Sequence, residues 1–229
     1  WYTAPSCQGT APFTCYTPQS WLDDWATVAR LFQNDPYVIG MDLRNEPHST
    51  HQPSTCRDYL LQGAHWGPCG GLYNDPTDWR AAATQAGNLL LGINPHWLMF
   101  VEGVSSYPQG DGSFSADGWG ENLQGVAAYP IQLNVANRLV YSPHDYRWDQ
   151  TNDTAANMYG TWSRNFGFIA VPGQPYTAPL WLGEFGTCTH DNTCVADGAG
   201  GNKAGWWLST LLNSMSSPPN GMAGPLSWD

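Results

Sequence analysis

The chain holds four glutamates, at 46, 102, 121 and 184, and two of them stand in settings suited to acid–base or nucleophilic work: Arg44-Asn45-Glu46-Pro47 and Gly183-Glu184-Phe185-Gly186. Each follows an apolar run that reads as a buried strand, Tyr37 to Leu43 before Glu46 and Pro179 to Leu182 before Glu184. Two carboxylates delivered at the same ends of two parallel strands can face each other across a cleft. Paired carboxyls, one giving a proton while the other attacks or activates water, are what cleavage of a glycosidic bond requires. A third strand end carries His144-Asp145-Tyr146 after the predicted strand Arg138 to Ser142. His144 and Tyr146 are two residues apart, so on an extended backbone both side chains point the same way.

The elements that must position these groups follow from periodicity. Thr17-Pro18 starts a helix with proline in its first turn, and Leu22, Trp25, Val28, Ala29 and Phe32 supply its apolar stripe until Asn34-Asp35-Pro36 stops it. Asp78 caps a second helix from Trp79 to Leu91. The strand Trp97 to Val101 ends in Glu102, and the Gly-, Ser- and Asp-rich stretch beyond it to Leu133 predicts loop with at most a short helix. Helices are predicted at Asn157–Phe166 and Asn202–Ser214.

Continuously apolar strands separated by helices predict an α/β fold with a covered parallel sheet. Chemistry-bearing residues at the strand ends are the pattern of a (β/α)8 TIM barrel, whose reactions take place at the C-terminal ends of its strands. A whole barrel needs eight strands in about 250 residues, and only about half of them can be counted here. The expectation is either a smaller open sheet or an incomplete barrel, with residues 1–229 forming a single partial catalytic domain.

Composition narrows the partners. Eight Lys plus Arg against 19 Asp plus Glu give a formal net charge of −11, which repels nucleic acid and anionic lipid surfaces. No run of about 18 apolar residues suggests a membrane span. Thirteen tryptophans and eleven tyrosines exceed what a core of this size requires and suit a surface that binds flat sugar rings. Cys7, Cys15, Cys56, Cys69, Cys188 and Cys194 fall into sequence-local pairs in polar loops. That predicts disulfides and a secreted, extracellular protein, the simplest pairing being Cys7 with Cys15, Cys56 with Cys69 and Cys188 with Cys194. A zinc alternative would recruit His48, His51, His65 or His190, yet no C-x₂-C knuckle supports it. Neither metal nor other cofactor is expected.

Asn45-Glu46-Pro47, His144-Asp145-Tyr146 and Gly183-Glu184-Phe185-Gly186, in that order and each on a strand end, resemble glycoside hydrolase family 5 over nearly the whole chain. The stretches Tyr37 to Pro47, Val101-Glu102-Gly103-Val104 and Gly120-Glu121-Asn122-Leu123-Gln124-Gly125 resemble the secreted endo-β-1,4-glucanases of that family. The resemblance implies that the chain covers barrel strands four to seven, with strands one to three and most or all of strand eight outside it. It further implies a retaining mechanism on a β-glucan polymer, with Glu46 as general acid and then base and Glu184 as nucleophile. Asn45 would bond the sugar 2-hydroxyl, Tyr146 would donate to Glu184, His144 would orient hydrogen bonds in the cleft, and Trp119 would stack on a sugar.

β-Mannanase is the alternative on the same barrel, and a non-catalytic carbohydrate-binding fragment is the alternative outside enzymes. The family's arginine after strand two, histidine near strand three and tryptophan on strand eight cannot be assigned, so weak or absent activity is expected of the segment alone. Glu102 and Glu121 read as structural or peripheral, and His48 and His51 as solvated loop residues.

Overall fold

The computed structural model of the protein describes residues 17–49, 63–68, 77–146, 154–187, 204–216 and 227–228. All six cysteines lie outside these residues, as do His51 and His190, so the expected disulfide pairing falls outside the described part.

Helix α1 (Pro18–Phe32) begins with a reciprocal cap: the Ser20 N–H donates to Thr17 Oγ1 and the Thr17 N–H to Ser20 Oγ, at 3.0 and 2.8 Å. Such a box satisfies donors that a helix start otherwise leaves unpaired. The face it buries is Leu22, Ala26 and Ala29; Val28 and Phe32, expected in the stripe, are exposed. Small residues at Ala26 and Ala29 let α1 lie against α2 (Trp79–Ile93), which is capped by Asp78 and buries Trp79, Ala83, Ala86 and Leu90. Helices α3 (Ala155–Asn165) and α4 (Ala204–Ser216) are the other α-helices among the described residues, α3 capped by the Thr154 side chain.

Among the described residues seven short strands lie beneath them: β1 (Gly40–Asp42), β2 (Leu98–Val101), β3 (Leu139–Tyr141), β4 (His144–Tyr146), β5 (Trp181–Leu182), β6 (Glu184–Gly186) and β7 (Ser227–Trp228). Every described strand pairing is parallel: β1 with β2, β2 with β3, β4 with β6 and β5 with β7, while a parallel bridge from Tyr141 to Leu180 joins β3 to the start of β5. β4 continues the line of β3, and β6 that of β5. Pro143 has no N–H to offer at the break in the first, and Gly183 fills the break in the second, donating to the Pro143 carbonyl at 3.2 Å. The wall therefore runs β1, β2, β3/β4, β5/β6, β7, a series of adjacent parallel strands belonging to an incomplete (β/α)8 barrel. The pairing of Ser227–Trp228 with Trp181–Leu182 adds a strand beyond those counted from sequence.

The core lies between strands and helices. Met99 and Val101 of β2 and Tyr141 of β3 meet Trp79, Ala86 and Leu90 of α2, and all are fully buried. Two indole N–H groups tie the helices to the strand ends: Trp25 donates to the Leu43 carbonyl at 3.2 Å and Trp79 to the Glu102 carbonyl at 2.9 Å. These bonds hold the segments after β1 and β2, from which two glutamates project. No helix among the described residues is long and apolar enough to cross a membrane.

Candidate active site

The C-terminal ends of the strands surround a cleft of about 600 Å³ lined by Glu46, Asp117, Gly118, Trp119, His144, Tyr146 and Glu184. Glu46 arrives on the segment after β1 with φ at 46°, in the left-handed region that side chains other than glycine seldom enter. A residue held there costs about 1–3 kcal/mol and persists only where its surroundings fix it. The fixing contacts are on both sides of the residue. Its N–H donates to Glu102 Oε2 at 2.7 Å, and its carbonyl oxygen lies 2.6 Å from His48 Nδ1.

β4 and β6 pair with His144 opposite Glu184 and Tyr146 opposite Gly186. That register brings His144 and Tyr146 of β4 to the Glu184 carboxylate of β6. The Tyr146 hydroxyl donates to Glu184 Oε2 at 2.8 Å, and His144 Nδ1 lies 3.1 Å from Glu46 Oε1 and 3.7 Å from Glu184 Oε2. Its other nitrogen, Nε2, lies 3.4 Å from Glu102 Oε1. The histidine side chain is only 2 % exposed and that of Glu102 1 %, against 20 % for Glu46 and 43 % for Glu184. Two carboxylates thus open to solvent above a buried imidazole and a buried carboxyl. Gly183 permits this packing, since a Cβ there would stand 2.4 Å from Ser142 Oγ and 3.2 Å from His144 Nε2.

Burial, reinforced by the carboxylates of Asp42, Glu46 and Glu184, pushes the Glu102 carboxyl up to about 9, against the opposing hydrogen bond from the Glu46 N–H. Burial also raises the Tyr146 phenol to about 12, with its hydrogen bond to Glu184 and the charges of Glu184 and Glu46 adding to the effect. Tyr146 is therefore a donor across the ordinary pH range.

Trp119 is 54 % exposed and lies flat on the His48 ring, with centroids 3.9 Å apart and planes within 5°. The loop that carries it is anchored from below. Gly118 N–H donates to Glu121 Oε2 at 2.9 Å, and Asn165 Nδ2 donates to Glu121 Oε1 at 2.6 Å and to Asp117 Oδ1 at 3.0 Å. Burial raises the carboxyls of Glu121 and Asp145 above the ordinary carboxylate range.

Of the residues singled out from sequence, the structure brings Glu46, Glu184, His144, Tyr146 and Trp119 into one cleft. Asn45 is exposed beside Glu46 and is not among the lining residues. One reading is corrected: His48 is not a solvated loop residue but is half-buried, fixed between the Glu46 carbonyl and the Trp119 face. Of the two acids read as structural or peripheral, Glu102 is buried at the end of its strand against Glu46 and His144, and Glu121 is buried under the Trp119 loop. Donor atoms of Glu46, His144 and Glu184 lie within 4.8 Å of one another, the one grouping among the described residues compact enough to grip a metal ion. The same compactness holds two carboxylates at a spacing that could act on one bond from both sides.

A model of the cellulase family, described as glycosyl hydrolase family 5, matches residues 7–216. An endoglucanase of Paenibacillus polymyxa is 40 % identical over 190 residues, covering 80 % of this chain and 42 % of that protein. The major extracellular endoglucanase of Xanthomonas campestris is 36 % identical, covering 80 % of this chain and 35 % of its own length. The chain thus spans about two fifths of the curated relatives it matches. Among solved structures, an endocellulase of Pyrococcus horikoshii in complex with cellotetraose superposes with a TM-score of 0.72 at 29 % identity, over 96 % of this chain and 56 % of that one. The catalytic domain of the Xanthomonas campestris enzyme gives a TM-score of 0.65 at 33 % identity, over 93 % and 54 %.

Proposed function

Because the chain belongs to the cellulase family, glycosyl hydrolase family 5, we propose that it supplies both catalytic carboxylates of a retaining endo-β-1,4-glucanase. The observation that carries this reading is the spacing of Glu46 and Glu184, whose nearest oxygens lie within 4.8 Å. Retaining enzymes hold their carboxyls about 5–5.5 Å apart, whereas inverting enzymes separate them by about 6.5–9.5 Å to admit a water.

In the first step Glu184 attacks the anomeric carbon. The glycosidic C–O bond breaks, its electron pair goes to the leaving oxygen, and Glu46 delivers a proton to that oxygen. In the second step Glu46 takes a proton from water, whose oxygen displaces Glu184 and frees the sugar. Tyr146 aims the nucleophile by donating to Oε2, leaving Oε1 to attack, and His144 fixes Glu46 through Nδ1. Trp119, flat and half-open, offers a face for a sugar ring, and Asn45, beside the acid, is assigned to the 2-hydroxyl. The reading of the substrate as a β-glucan is supported by relatives that are endoglucanases and by the cellotetraose held by the Pyrococcus horikoshii endocellulase. Action outside the cell is supported by the extracellular relative.

The test is hydrolysis of soluble carboxymethyl cellulose and of mannan by the chain alone and by the chain fused to the first three strands of the Paenibacillus polymyxa relative. Glucan cleavage abolished by E184Q, with oligosaccharide binding kept, is the expected result. Preference for mannan would move the assignment to β-mannanase, and binding without turnover in either form would leave a carbohydrate-binding protein.

A further inference from the structure

Glu102 is 1 % exposed, accepts a hydrogen bond from one member of the cleft and lies beside a second. Its Oε2 accepts the N–H of Glu46, the residue whose backbone is in the left-handed region, and its Oε1 faces Nε2 of His144, whose opposite nitrogen faces Glu46 Oε1. One carboxyl therefore meets Glu46 twice, directly at the backbone and through the imidazole at the side chain. The surroundings are shaped for it. Gly120, at φ +75°, has no Cβ where one would stand 2.6 Å from Glu102 Oε2, and Trp79 holds the Glu102 carbonyl.

We propose that Glu102 is a positioning residue that acts through Glu46 and His144, working as a neutral carboxyl: its carbonyl oxygen holds the Glu46 peptide, and its hydroxyl, by donating to Nε2, fixes the hydrogen of His144 on Nδ1, where it is donated to Glu46. This assignment rests on the reading of Glu46 as the acid/base. The neutral form agrees with the raised carboxyl of Glu102. A buried group that is donor on one atom and acceptor on the other is matched by glutamine, whose amide reproduces both bonds. Leucine reproduces neither and leaves the Glu46 N–H without its acceptor.

The test compares wild type, E102Q and E102L. In the 229-residue chain labelled with ¹⁵N at histidine, with H144Q used to assign the signal, the ring nitrogens are read at pH 8, above the ordinary histidine range. The expected result is His144 with its proton on Nδ1 in wild type and in E102Q, and a loss of that single tautomer in E102L. A proton on Nε2 in wild type, protons on both nitrogens, or an unchanged tautomer in E102L would overturn the proposal. Kinetics on glucan, in whichever form turns over, give a second readout: E102Q stays near wild type, while E102L loses about 100-fold in kcat with KM little changed and a thermal transition that is lowered but still cooperative. Equal damage by Gln and Leu would also overturn it. The tautomer measurement needs no turnover, so an absence of glucan hydrolysis would count against the functional reading alone.

Discussion

The Tyr146 hydroxyl donates to Glu184 Oε2 over 2.8 Å, and the two residues come from adjacent parallel strands whose register places His144, not Tyr146, directly opposite the glutamate. The tyrosine reaches diagonally, so losing its hydroxyl removes this bond and spares the backbone pairing of the two strands. Y146F should therefore leave the fold intact. A hydrogen bond to a charged group contributes about 1.5–3 kcal/mol, so kcat on glucan is expected to fall by about 10- to 150-fold, measured beside circular dichroism and a melting curve. Retention of full kcat would show that Glu184 needs no such aim.

Trp119 and His48 form a stacked pair in which the indole remains half-exposed. Substitution W119A removes a sugar platform, and aromatic stacking is worth about 0.5–1.5 kcal/mol beyond the area it buries. The expected change is a rise of about 2- to 10-fold in the Kd for cello-oligosaccharides by calorimetry, with kcat affected less. H48A should raise Kd by a smaller factor, because the indole loses its backing but keeps its own contact. No change in either variant would make Trp119 a bystander.

Glu102 makes stability depend on pH with a definite sign. Its carboxyl titrates at about 9 in the folded chain against an ordinary value of 4.5, so between these limits the native state keeps a proton that the unfolded chain releases. The stabilisation is complete below the ordinary value and declines as pH rises toward about 9. The melting temperature should fall from pH 5 to pH 9, by about 2–4 °C for each kcal/mol lost at this chain length. E102Q, which cannot ionise, should show a shallower fall, with the remainder due to Asp42, Glu121 and Asp145, whose carboxyls burial also raises. Identical slopes in the two proteins would mean that Glu102 is ionised in the fold.

The chemistry-bearing residues were legible because each ends an apolar run, and the helices because their caps are local. Thr17 with Ser20, Asp78 with Ala81 and Thr154 with Asn157 all bond within three residues. Strand limits were less legible. Tyr37, Val38 and Ile39 read as strand, yet β1 starts at Gly40, where pairing to Leu98 begins, and Tyr37 and Ile39 are exposed. Local sequence gives apolar runs, whereas a strand needs a partner. The same distinction explains Glu102 and His48. Nothing beside them in sequence says that one will meet His144 or that the other will stack on Trp119, because both contacts join segments far apart along the chain. The α1 stripe shifted for a related reason: packing against α2 buries the small Ala26 beside the expected Leu22 and Ala29, and leaves the bulkier Val28 and Phe32 exposed.

The close approach of Glu46 and Glu184 is the central claim, and the stereochemistry of the first product tests it most directly. Proton NMR of cello-oligosaccharide hydrolysis, recorded before the anomers equilibrate, should show the β-anomer of the newly formed reducing end appearing first, as double displacement by two carboxylates about 5 Å apart demands. Initial release of the α-anomer would mean that water attacks directly and would contradict the account.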